Sequence, residues 1–150
     1  MDKSKVFIVH GHDGEAKEAA ARFVEKIGLE AIILHEQASS GKTIIEKLEE
    51  YTNVGFGIVL YTPCDWGRSQ EEKDPLKPRA RQNVVFEHGY LMGKIGRENV
   101  CALVKGDIEK PTDIAGVVYI SMDEGDGWKL AVAKEMKKSG YDVDFNKILG

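Results

Sequence analysis

The sequence carries only two cysteines in 150 residues, Cys64 and Cys101. Two thiols that far apart make neither a disulfide framework nor a CxxC metal site, and they suit a reducing cytoplasm. Long apolar runs are also missing. The longest, residues 54–61, contains two glycines and falls far short of the roughly 20 residues that cross a bilayer. Charged Asp2, Lys3 and Lys5 lead directly into the short run of residues 6–9, too brief for the core of a signal peptide. Excess positive charge is lacking too: 21 Lys and Arg stand against 25 Asp and Glu, a formal net charge of −4. Binding along a phosphate backbone needs clustered cations, and none is visible along the chain, so neither nucleic acid nor a membrane is an expected partner. The chain reads as a soluble, cytoplasmic domain.

What is present suffices for one full core. With 42% apolar and 31% charged residues, a chain of this length buries roughly two-thirds of its unfolded surface without staples. Val6-Phe7-Ile8-Val9 reads as a strand buried on both faces, ending in the glycine loop His10-Gly11-His12-Asp13-Gly14. Ala16, Ala19, Ala20, Phe23, Val24 and Ile27 then form a helical stripe, with Asp13 as its N-cap and Gly28 as its stop. Residues 31–34 supply the next strand and close a right-handed βαβ unit.

Further along, a short helix is expected from about Thr43, with Ile44, Ile45, Leu48 and Tyr51 on one face. A third strand follows over residues 54–61, its two glycines serving close helix packing or approach of a ligand backbone. Residues 62–79 hold three of the four prolines and read as an irregular lid or wall of a site. A helix over residues 81–96 has Val84, Val85, His88, Leu91, Met92 and Ile95 along one broad face. Strands over 100–104 and, at an edge, 117–120 precede a last amphipathic helix over 128–138. The pattern predicts a flavodoxin-like three-layer α/β sandwich with a five-stranded parallel sheet, whose ligands bind beyond the carboxyl ends of the strands.

Three segments carry chemistry. The loop of residues 10–14 lets backbone N–H groups and a helix N-terminus approach an anion, or is simply a strand-to-helix turn. Its two histidines lack the further ligands of a metal set, so no metal is expected. Ser39-Ser40-Gly41-Lys42-Thr43 looks like the end of a phosphate-binding P-loop, but Glu36 stands where that motif needs glycine, and the segment follows the second strand instead of the first. Glu87 falls on the flank of the 81–96 helix, where a half-buried carboxylate is held ionised by the macrodipole or is paired with Arg79, Arg81 or Lys94. Trp66 either stacks on a base or caps the sheet end; Trp128 reads as core. His35 ends the second strand with no assignable role.

The blocks Lys5-Val6-Phe7-Ile8-Val9-His10-Gly11-His12-Asp13, Gly41-Lys42-Thr43-Ile44-Ile45-Glu46-Lys47 and Ala80-Arg81-Gln82-Asn83-Val84-Val85-Phe86-Glu87-His88-Gly89-Tyr90 resemble the bacterial TIR-like nucleotide-binding family nearly end to end. Within it the likeness is greatest to the TIR domain of bacterial TIR-STING anti-phage effectors, with Gln-Asn-Val-Val-Phe-Glu the most specific element. The resemblance implies a single TIR domain over residues 1–150. The chain is then a fragment of a longer effector whose ligand-sensing domain lies outside it, or a free-standing relative.

It further implies an NAD+ nucleosidase that takes NAD+ as substrate and needs no cofactor. Glu87 matches the catalytic glutamate, and His10, Gly11, His12, Asp13, Trp66, Asn83 and Arg81 form the substrate site. Residues 36–42, with Glu36, Gln37, Ser39, Ser40, Gly41 and Lys42, match the loop through which TIR domains stack into a homo-oligomer or filament. A cyclic dinucleotide is expected to act only through the absent second domain. The first loop lacks the basic residues of eukaryotic TIR enzymes. Two other readings stay open: a nucleotide-binding or TIR scaffold without chemistry, and a nucleoside-processing enzyme of similar form.

Overall fold

The computed structural model describes residues 1–37, 40–71, 73, 75–111 and 116–149. In chain order its elements are β1 (Lys5–Val9), α1 (Gly14–Lys26), β2 (Glu30–Ile33), α2 (Ile44–Tyr51), β3 (Gly57–Tyr61), β4 (Asp65–Gly67), β5 (Lys77–Arg79), α3 (Gln82–Ile95), β6 (Val100–Val104), β7 (Val118–Ser121), α4 (Gly127–Lys138) and α5 (Asn146–Leu149). Single 3-10 turns follow β2 at Leu34–Glu36 and α3 at Arg97–Asn99.

Five strands form one parallel sheet in the order β2-β1-β3-β6-β7, the flavodoxin-like order expected. The period of two along each strand divides its side chains between two cores. Val6, Ile8, Ile58, Leu60, Cys101 and Leu103 face one side, where α1 supplies Ala20, Phe23 and Val24 and α4 supplies Trp128, Val132 and Met136. Phe7, Val9, Val59, Tyr61, Ala102 and Val104 face the other, covered by Leu48 of α2 and Val84, Leu91 and Ile95 of α3. Strands walled in on both faces explain runs of apolar residues without alternation.

The turn signals act locally as read. Asp13 caps α1 by accepting from the Ala16 N–H at 3.0 Å, and Gly28 ends that helix at φ +91°. Thr43 and Glu46 form a reciprocal capping box at the start of α2. The glycines before and within the third strand serve packing: a Cβ on Gly57 would stand 3.0 Å from Leu91, and one on Gly55 2.9 Å from Tyr141.

Other details differ from the reading. The third strand begins at Gly57; Val54 instead forms an isolated parallel bridge with Asp2. Residues 62–79 are not irregular throughout, because β4 and β5 pair as an antiparallel hairpin with Trp66 opposite Pro78. On α2, Lys47 and Leu48 turn inward while Ile44 and Ile45 stay 50% and 47% exposed. Val85 of α3 also faces outward. The short α5 adds Ile148 to the first core.

Among the described residues no helix is long and apolar enough to cross a membrane, and no cluster of three or more His, Cys, Asp or Glu side chains could hold a metal ion.

Candidate functional site

The chain passes from β1 out to β2, then returns across β1 to β3, so the sheet reverses direction between β1 and β3. Loops leaving the carboxyl ends of those strands diverge there and leave a crevice. The loop after β1 and the one after β3 meet tightly at its base. The His12 N–H donates to Cys64 Sγ at 3.4 Å, and a Cβ on Gly11 would come within 2.7 Å of that sulfur and 3.8 Å of Arg81 Cδ. Gly11 is therefore required by space, and Arg81, the N-cap of α3, stands at the same mouth.

His10 ends β1. Its Nδ1–H donates to the Gly11 carbonyl at 2.8 Å, while its Nε2 is buried and has no partner among the described residues. Its ring meets His35, at the end of β2, edge to face with centroids 5.5 Å apart. Partial burial first, then the positive charges of His10, Lys47, Arg81 and Lys17, hold His35 below its ordinary value. Asp13 faces Lys105, with Oδ2 accepting from Nζ at 2.7 Å; that bond and the Ala16 N–H hold its carboxyl below the usual range. Its charge is thus already matched within the fold.

Glu87 lies in the second turn of α3 and is 9% exposed. No hydrogen bond or ion pair engages its carboxylate among the described residues; Arg79 pairs with Glu109 at 2.9 Å and Lys94 donates to the Glu49 carbonyl. The expected pairing with Arg79 or Lys94 is absent, and Arg81 acts only through its field. Burial dominates and pushes the Glu87 carboxyl up to about 7, with Arg81 pulling the other way. The expectation that the helix dipole holds this group ionised therefore fails, because the dipole fades beyond the first turn while desolvation does not.

Beside Glu87 on the inner side, His88 is buried; its Nδ1 lies 2.7 Å from the Tyr61 hydroxyl, and burial lowers it to about 4. The ring is therefore neutral at physiological pH and shares a hydrogen bond with the Tyr61 hydroxyl. Tyr119 packs edge to face on both rings.

The remaining site residues scatter along the rim. Trp66 is 71% exposed on β4 and lines a cavity of 460 Å³ with Cys64, Asp65, Arg79, Ala80 and Gln82. Asn83 is exposed at the start of α3. A second hollow of 310 Å³ shares Arg79, Ala80 and Gln82 with it and is otherwise lined by Val85, Glu109, Lys110 and Pro111. Glu87 lines neither. The 36–42 loop leaves the end of β2: Glu36 is exposed, Gln37 donates to the Ile33 carbonyl, Ser40 and Gly41 both have positive φ, and Lys42 pairs with Glu50. Ser39 lies outside the described residues. A lysine committed to a surface carboxylate is not cradling phosphates, in keeping with the failed P-loop spacing.

Two side chains have surroundings that the sequence did not show. His35 had no role until the sheet order set it against His10, and Lys47 sat in a helical pattern that gave no sign of its burial.

An open parallel sheet whose strand order reverses between β1 and β3, with helices on both faces, is a doubly wound α/β domain. The family model described as "CAP12/Pycsar effector protein, TIR domain" matches residues 5–124, and the chain belongs to this TIR-domain family. It is 50% identical over 146 residues to the uncharacterized protein YuaY of Escherichia coli K12, covering 97% of this chain and 48% of that one. Protein tirC of Dictyostelium discoideum is 40% identical over 133 residues, 82% of this chain and 66% of its own. CD-NTase-associated protein 12 of Sphingobacterium faecium is 26% identical over 127 residues, 83% of this chain and 38% of its own. The chain thus spans less than two-thirds of each of these relatives.

Proposed function

We propose that this domain is an NAD+ nucleosidase of the kind carried by bacterial TIR-STING effectors, switched on by assembly in anti-phage defence. The observation that supports the reading most is the Glu87 carboxylate, buried, unpaired among the described residues and within the field of Arg81 at the start of the same helix. An unpaired buried carboxylate costs stability, and a fold keeps one where a cationic ligand repays it.

Cleavage breaks the bond between nicotinamide nitrogen and ribose C1′. Nicotinamide keeps the bonding electron pair and leaves as a neutral base, so no general acid is needed. Water then adds to C1′, and the sum is NAD+ plus water giving nicotinamide, ADP-ribose and a proton. Positive charge gathers on the ribose as the bond opens, and Glu87 stabilises that oxocarbenium character and orients the ribose hydroxyls. A substrate that brings a pyridinium charge beside Glu87 favours its ionised form and offsets the effect of burial.

The small exposure of Glu87 in a single chain fits a site completed on assembly. Ile44 and Ile45, exposed just after the 36–42 loop, supply apolar surface for such contacts. The same surface also fits a scaffold that assembles without chemistry. Nicotinamide release from NAD+ by concentrated, assembled protein, compared with Glu87→Ala, separates the two.

A further inference from the structure

Lys47 is 6% exposed, and among the described residues its Nζ has one partner, the neutral Gln37 carbonyl at 3.1 Å. A buried ammonium with no carboxylate is costly, and a fold keeps one where an anion completes it. Three further groups of the same sign stand near it. His35 feels the charges of Lys47, His10 and Arg81 together; His10 leaves its buried Nε2 unpartnered; Arg81 makes no ion pair among the described residues. Of the carboxylates nearby, Asp13 pairs with Lys105, Glu18 lies 3.8 Å from Lys17, Glu36 is exposed, and Glu87, buried and within the field of Arg81, makes no ion pair with any of these groups among the described residues. A chain of net charge −4 thus gathers four groups that are cationic or can become so, from the loop after β1, the turn after β2, α2 and the N-cap of α3. Mutual repulsion of that kind is relieved by a bound anion.

We propose that Lys47, His35, His10 and Arg81 form an anion-binding crescent at the carboxyl ends of β1 and β2, and that it takes the pyrophosphate of a dinucleotide. In naming a dinucleotide, the inference rests on the NAD+ reading. Arg81 acts on both His35 and Glu87, so a ligand whose pyrophosphate lies on the crescent carries its ribose toward the glutamate. Lys47 and Arg81 supply fixed donors and charge, His10 presents its buried Nε2, which donates to a phosphate when both ring nitrogens carry protons, and His35 closes the open side. The crescent answers how a first loop without Arg or Lys neutralises two phosphates: the charge comes from α2, α3 and the end of β2.

The test is binding of inorganic pyrophosphate and of ADP-ribose, which lacks the scissile bond, by calorimetry on the wild-type protein, Lys47→Met and His35→Gln. Met keeps the length and apolar stem of Lys47 and His35 is exposed, so both variants should keep the wild-type fold by circular dichroism. Each is expected to weaken both ligands tenfold or more. Equal binding by wild type and both variants, or no binding of either ligand by the wild type, overturns the crescent. Nicotinamide release is scored separately: weakened binding with no release by assembled wild type leaves the crescent standing and removes the nucleosidase, whereas release with unweakened binding does the reverse.

Discussion

Replacing Glu87 by Gln should make the protein more stable and less active at once. The substitution keeps size and shape while removing the charge. In the folded chain burial lifts this carboxyl from 4.5 to about 7. A raised acid binds its proton more tightly folded than unfolded, so its favourable contribution is complete below about pH 4.5 and lost as pH rises through 7. Above both values the difference amounts to about 3 kcal/mol of destabilisation in the wild type. Glu87→Gln escapes it. For a chain of this size about 3 kcal/mol corresponds to a Tm rise on the order of 10 °C at pH 8, shrinking toward zero near pH 4, where the wild-type group is protonated as well. Nicotinamide release should fall about 10²-fold or more, since one preorganised charge at a developing cation is worth a few kcal/mol. Thermal unfolding at pH 4, 6 and 8 reads the stability. An unchanged or lower Tm for Glu87→Gln at pH 8, or the same difference at pH 4 and 8, refutes the claim that an unpaired charge is being held there.

Four other perturbations probe separate parts of the structure. His88, lowered to about 4 by burial, contributes stability that is complete above its unfolded value of 6.5 and lost as pH falls through 4, opposite in sign to Glu87. In the Glu87→Gln background urea-unfolding stability should therefore climb by about 3 kcal/mol from pH 4 to 6.5, and His88→Leu should flatten that climb. Gly11→Ala should cost about 1–3 kcal/mol because its Cβ meets Cys64 Sγ at 2.7 Å, and Cys64→Ala should recover part of the loss in a double-mutant cycle. Ile44→Asp with Ile45→Asp should abolish assembly in light scattering and nicotinamide release together, with monomer stability changed by less than about 1 kcal/mol, since both side chains are already exposed. Gly41→Arg should act similarly on assembly but carry a further strain of about 1 kcal/mol from its φ of +78°.

The sheet was legible because its strands advertise themselves. Val6-Phe7-Ile8-Val9 and residues 100–104 are apolar without alternation, and only strands covered on both faces need that. Asp13 and Gly28 marked the ends of α1 by residue chemistry that acts within one turn. Long-range geometry was hidden. Periodicity put Ile44 and Ile45 inward, but Lys47 and Leu48 are the residues that α2 buries. The hairpin of β4 and β5 depends on a pairing across ten residues, through prolines that sequence rules treat as breakers. The cationic crescent could not be seen as a cluster because its members lie at residues 10, 35, 47 and 81, brought together only by the strand order. Glu87 was visible as a position on a helix flank; that burial would outweigh the helix dipole depended on how deeply α3 seats.

The most direct test of the central claim is nicotinamide release from NAD+ by the assembled protein and its Glu87→Gln variant at equal concentration and equal degree of assembly. Stoichiometric nicotinamide and ADP-ribose from the wild type, with at least a 10²-fold slower release from the variant, is the predicted result. Wild-type turnover by Glu87→Gln, or an assembled wild type that leaves NAD+ intact, contradicts it.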